Sequence, residues 1–172
     1  AEEPYGEAEA DGGPMAQIEA SRALIAVAAD NMDDALAHVN KALTLDPKGA
    51  RTLHVAGKVA FARYVNYDTP STSEDMDRAR QLLLAALRAD PSNMQAHYDY
   101  VVTYAETGDT PSKQAIYSAK ECTYHYRSAS QLGEGMVLAS VLSRAGEKDY
   151  ARHHIQRAAL WSPTIRSRRQ AR

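Results

Sequence analysis

One cysteine, one tryptophan and one phenylalanine stand among the 172 residues. The lone Cys122 excludes an internal disulfide framework and a multi-cysteine zinc site. No apolar run approaches ~18 residues, which excludes a membrane-spanning helix. The sequence also lacks a His-Glu-x-x-His pair, a Gly-x-Ser-x-Gly elbow and a glycine-rich phosphate loop, so no catalytic reaction is assigned to it. His153 and His154 are adjacent; on a helix they point about 100° apart and cannot share a metal as a pair. His125, between Tyr124 and Tyr126, likewise lacks a partner at helical spacing. These histidines read as ordinary surface or core residues and Cys122 as a packed thiol. No metal, cofactor or catalytic residue is expected.

Alanine is what the chain has in excess, 31 residues against nine glycines. That composition favours helix and argues against a sandwich or barrel. The length suits one domain or a short repeat array. The net charge of −2 conceals two opposed ends. Glu2, Glu3, Glu7, Glu9 and Asp11 make residues 1–13 an acidic segment, read as a disordered tail. Arg166, Arg168, Arg169 and Arg172 make the last residues basic. The body between them has 16 basic and 17 acidic residues, which is no broad polycation for nucleic acid. A basic tail with no aromatic residue after Trp161 lacks a stacking platform, and reads as a solvated cap rather than a nucleic-acid or anionic-membrane contact.

Three segments superimpose without a gap. Ala35 leads through Val39 and Ala42 to Pro47; Ala79 through Leu83 and Ala86 to Pro91; Ala151 through Ile155 and Ala158 to Pro163. Steps of four and three put the apolar residues on one helical stripe. Paired alanines let another helix approach closely, and the proline ends the run. A fourth segment keeps only Ala115, Ala119 and Cys122 on the stripe and has no terminal proline.

This phrase resembles the second helix of the tetratricopeptide repeat (TPR), which has a period of ~34 residues. Leu53, Ala56, Gly57 and Ala60 match the family's first helix in the second repeat; Tyr100 and Tyr104 do so in the third, and Leu138, Ala139 and Leu142 in the fourth. In the first repeat Ala23 and Ala26 stand in those places. The repeats run over about 14–47, 48–91, 92–130 and 131–163. Helices are expected at about 14–29, 32–45, 48–64, 74–89, 93–107, 112–128, 132–145 and 147–160. Pro47 and Pro91 are 44 residues apart, so the surplus over one period falls in a long loop at 64–73. The resemblance implies an all-α fold, a right-handed α-solenoid of about eight antiparallel helices.

It also implies a concave groove lined by first helices that takes a protein or peptide partner. Helical phase proposes Arg51, His54, Val55, Lys58 and Phe61 for the groove in the second repeat. Gln95, Tyr98, Asp99, Val102 and Glu106 follow in the third, and Met136, Val137, Ser140 and Arg144 in the fourth. Phe61 reads equally well as a cover for the helix junction, and Tyr98 as groove or rim. Tyr100 and Tyr104 read as core. Some members of the family clamp a C-terminal carboxylate with Lys, Asn and Arg. Here Ala20, Leu24, Val55, Gln95 and Asp99 stand at the corresponding phases, so that clamp is absent.

The expected function is a non-enzymatic scaffold or adaptor that binds a peptide or helix of a partner. The alternative is an accessory region of a larger bacterial enzyme, such as a peptidase, or of a secretion or envelope-assembly component. The start on Ala1 without an apolar leader is expected of a processed product or a fragment. Ser162-Pro163, followed by residues 164–172, reads as the start of a truncated capping helix. The alanine- and arginine-rich style points to a bacterial source, with cytoplasm and periplasm both open. Self-association through exposed end helices is a third reading.

Overall fold

The computed structural model describes residues 13–65, 72–125 and 132–161, without the side chains of Leu132, Leu160 and Trp161. The acidic tail, the centre of the 64–73 loop and the basic C-terminal segment lie outside the described residues.

Eight helices and no strand occur among the described residues: α1 (Gly13–Ala28), α2 (Met32–Leu45), α3 (Ala50–Val65), α4 (Ser73–Ala89), α5 (Met94–Thr107), α6 (Lys113–His125), α7 (Leu132–Arg144) and α8 (Lys148–Trp161). The chain divides into two compact units, residues 1–96 and 97–172, with the boundary inside α5. In the first unit α1 packs on α2, α3 on α4, and α3 also against both α1 and α2. In the second, α7 packs on α8 and α6 touches both.

The turns explain why the helices stop where they do. Asp30 has φ 56° and Gly146 φ 79°, the left-handed backbone that lets a helix fold back on its own last carbonyls. Asn31 N–H donates to the Ala26 carbonyl at 2.9 Å and Glu147 N–H to that of Leu142 at 2.9 Å, the same six-residue closure in both places. Asn31 then caps α2 by accepting from Asp34 N–H at 3.2 Å. The Asp-Pro ends of α2 and α4 repeat each other: Asp46 N–H reaches the Ala42 carbonyl and Asp90 N–H the Ala86 carbonyl, both at 2.8 Å.

The alanine seams are buried as their spacing dictates. Ala35, Val39 and Ala42 lie with Ala20, Ala23, Val55, Ala56 and Val59 in the core of the first unit. Ala79, Leu83 and Ala86 are buried, as are Ala115, Ala119 and Cys122. Tyr100 and Tyr104 are buried as read from the sequence, with hydroxyls 3.2 Å apart. One seam departs. In α8, Ala151 is buried but Ile155 is 50 % exposed, and His154 takes the inward place at 2 %. A histidine can do so because Thr123 Oγ1 lies 3.0 Å from its Nε2 and satisfies that ring nitrogen.

A hydrogen-bonded carboxylate ties α1 to α2. The buried Glu19 accepts from Arg22 Nη1 at 2.7 Å and from His38 Nδ1 at 2.7 Å. The hydrogen bond from His38, helped by Arg22, holds its carboxyl below the usual carboxylate range, against the opposing effect of burial. The unfolded chain therefore takes up this proton at higher pH than the folded one. The stability contributed by Glu19 is present above the ordinary carboxylate pKa and is lost as pH falls through the lowered one. Glu19→Gln is expected to remove that acid-side slope, measured by chemical denaturation in steps below about pH 4.5. An unchanged slope in the variant would show that the pair is not its source.

Candidate partner-binding faces

In the first unit the candidate residues lie along α3. Arg51, His54, Lys58 and Phe61 recur at steps of three and four, which keeps them on one side of the helix. Arg51 is exposed, and His54, Lys58 and Phe61 are half-buried. Arg51 donates from Nη2 to Ser21 Oγ of α1 at 3.1 Å, so α1 and α3 contribute to one face.

Val55 does not belong to that face: it is 2 % exposed and packs in the core with Ala20 and Val39. The reason is angular. Four residues after Arg51 the helix has turned past the start of the row, toward the flank of α3 that covers the first helix pair. Gln95 is exposed on the first turn of α5.

In the second unit Tyr98, Asp99 and Val102 of α5 are half-buried, while Met136 of α7 is exposed. Burial, with the charges of Glu134 and Asp99 adding to it, pushes the Tyr98 phenol up to about 12. The phenol therefore stays protonated and can donate a hydrogen bond at any ordinary pH. Burial, aided by Asp99 and Glu121, likewise pushes the Cys122 thiol up to about 12, too high for a nucleophile.

Arg144 is exposed but engaged. Its guanidinium donates to the Tyr104 carbonyl at 2.7 Å and to the Asp109 carbonyl at 3.4 Å, capping the end of α5 from α7. Nothing in helical phase announces such a bond, because its acceptors are backbone atoms of another helix.

Two features escaped the sequence reading. Tyr117 and Tyr124 of α6 are each more than half exposed; seven residues apart and off the Ala115–Cys122 seam, they were legible by phase. Beside them Lys120 pairs with Glu147 at 2.7 Å and lies 5.1 Å from the centre of the Tyr150 ring. The other is an apolar cleft of about 170 Å³ between α2, α3 and α4, where Val39, Val59 and Leu82 meet under Arg63 and Asp75. No spacing rule finds it, since three helices make it. Among the described residues no group of three or more His, Cys, Asp or Glu could hold a metal ion. No helix there is long and apolar enough to cross a membrane.

Comparison with solved structures decides the fold type. The crystal structure of MamA, a TPR-like protein, matches with a TM-score of 0.62 over 90 % of this chain and 83 % of that one, at 14 % sequence identity. The eight-helix arrangement fits a TPR-type helical repeat. It is an all-α solenoid fold, and at that identity the likeness speaks for architecture alone. No family model matches the chain, and no curated protein matches it.

Proposed function

We propose that this chain is a non-enzymatic protein-interaction module that holds an extended peptide or a helix of a partner against its first-helix faces. The observation that supports this most is the division of labour on the first helices. In α3 the flank bearing Val55 and Val59 is spent on the core, while the row of Arg51, His54, Lys58 and Phe61 keeps solvent access. The exposure of Arg51, Gln95 and Met136 and the partial exposure of Tyr98, Asp99 and Val102 support the same division further along the chain. Fold alone does not name a function, so the reading rests on these side chains.

Each face, taken by itself, suits a ligand of different chemistry. The α3 face is cationic and aromatic, and takes an acidic stretch. The face of the second unit carries a protonated tyrosine that feels the negative charges of Glu134 and Asp99, and takes basic or amide-bearing side chains. Tyrosine and arginine at such places give contact area and hydrogen bonds at low entropic cost.

The test is selection of binding peptides from a random display library, followed by titration of the selected peptides. Lys58→Glu together with Tyr98→Ala is expected to weaken binding by at least tenfold, about 1.4 kcal/mol, with helical content unchanged. Undiminished affinity in the double variant would remove these faces as the site.

A further inference from the structure

We propose that the cleft between α2, α3 and α4 is a binding site for a linear aliphatic monocarboxylate of about eight carbons.

The cleft opens where α3 is thin. On the flank that meets it, α3 carries Ala56 and Ala60, side chains too short to fill the space between its neighbours. Val39 and Val59 close the floor and are buried at 4 % and 1 % exposure. Leu36, Leu43 and Leu82 line it from α2 and α4 and stay only partly buried. The apolar lining is aliphatic throughout and offers no ring for a planar ligand to stack on. Native interiors leave few voids larger than a water molecule. An aliphatic chain in this space of about 170 Å³ completes the cover of the three leucines.

The charged groups gather at one end. Arg63 is in the last turn of α3 and Asp75 in the first turn of α4, with Arg78 one turn further on. Ala56 lies seven residues back along α3 and Leu82 seven residues on along α4, about 10.5 Å in each case. The cleft therefore has a charged end and an aliphatic end.

The charge selects an anion. Asp75 Oδ2 is engaged at the start of its own helix, where it accepts from the Thr72 N–H at 3.1 Å. Its Oδ1 is 3.8 Å from Arg63 Nε, beyond hydrogen-bonding reach. Arg78 is exposed and makes no hydrogen bond or ion pair among the described residues. Two guanidinium groups against one carboxylate leave a positive charge for a ligand to neutralise, and their forked donors match a carboxylate. Asn40 adds an amide to the lining.

Length selects a linear chain. Three backbone bonds span ~3.5 Å when extended, so covering ~10.5 Å takes about nine bonds. A leucine at a peptide's carboxyl terminus reaches only about four bonds from its carboxyl carbon and cannot engage both ends. Octanoate, about eight bonds from carboxylate oxygen to methyl, does. The volume agrees: an apolar cavity of ~150 Å³ takes up benzene, and this cleft is slightly larger and open on one side. None of Arg51, His54, Lys58 and Phe61 lines it, so the site stands apart from the faces proposed for a peptide.

NMR titration of methyl signals in the full chain with octanoate tests this, beside octylammonium and octanol as probes of equal length. Octanoate is expected to shift Val39, Val59 and Leu82 together, with a Kd of about 1 mM or tighter, ordinary for so few heavy atoms. Octylammonium is expected to bind at least tenfold more weakly, with octanol between the two. Arg78→Glu alters an exposed side chain, so wild-type helicity is expected. It should weaken octanoate at least tenfold and strengthen octylammonium. Ala60→Leu fills the cleft and is expected to abolish binding of all three. Should that variant fail to fold, the Arg78→Glu and octylammonium titrations decide alone. Absence of shifts at those methyls up to about 10 mM octanoate overturns the proposal. So does equal affinity for octanoate and octylammonium, which would make the cleft an unselective apolar gap, or octanoate binding unchanged in Arg78→Glu. Tighter binding of acetyl-Gly-Gly-Leu than of octanoate would assign the site to a peptide terminus and overturns it as well.

Discussion

Gly57→Ala is expected to destabilise the first unit by about 1–3 kcal/mol, in the range of core overpacking. A Cβ at this position would lie 2.6 Å from Leu83 Cγ and 2.9 Å from its Cδ2, with the Leu83 backbone nitrogen at 3.2 Å. The methyl cannot be accommodated by rotating a chain end, since Cγ is the branch point of a fully buried side chain. Alanine's better helix propensity returns about 1 kcal/mol, which the overlap exceeds. Leu83→Ala alone is expected to cost about 2–5 kcal/mol through the cavity it opens. The double variant gives a sharper test. If the close approach of α3 and α4 is the cause, the new methyl occupies part of the space vacated by leucine. The two losses then fall short of additivity by about 0.5–3 kcal/mol. Urea denaturation, read through amide exchange in α3 and α4, measures all three variants. Strict additivity would mean that Gly57 is tolerated for its backbone and not required for the contact.

The second large effect belongs to His154. It is buried at 2 % exposure, and its Nε2 faces Thr123 Oγ1 at 3.0 Å. Thr123 already donates its own proton to the Ala119 carbonyl at 2.9 Å, so its hydroxyl accepts from the ring. This assigns the neutral Nε2–H tautomer. Burial, with the charges of His153 and Arg157 adding to it, lowers the His154 pKa to about 4. The unfolded chain, with an ordinary histidine pKa near 6.5, takes up a proton that the folded chain refuses until about pH 4. Stability therefore falls as pH drops through that window and is flat above it. The loss is on the order of 2 kcal/mol, less than the full shift would imply because of solvent screening. His154→Gln keeps a donor for Thr123 and removes the titration. Denaturation midpoints between about pH 4 and 7 should slope in the wild type and be nearly level in the variant. Equal slopes would place the acid sensitivity elsewhere. The window lies above that of Glu19, so the two can be separated in one pH series.

Much of this architecture was legible before any coordinates. Ala35–Val39–Ala42 and Ala79–Leu83–Ala86 are buried where their spacing put them, and even the weak Ala115–Ala119–Cys122 stripe is buried throughout. Helix ends followed from turn chemistry such as the prolines after α2 and α4. Phase was less reliable at the edges of a face. Val55 sits one step from a solvent row and is buried because α3 covers a neighbouring pair. In α8 the apolar phrase nominated Ile155 over the polar His154. The choice reversed because Thr123, 31 residues earlier in the chain, offers the imidazole a partner.

Periodic apolar spacing and turn residues act within a few positions along the chain, so helices, seams and stops were specified locally and could be read directly. The capping of α5 by Arg144, the inward turn of His154 and the cleft between α2, α3 and α4 arise from which helix lies alongside which. Burial is a property of neighbours in space, and packing of the helices settles it.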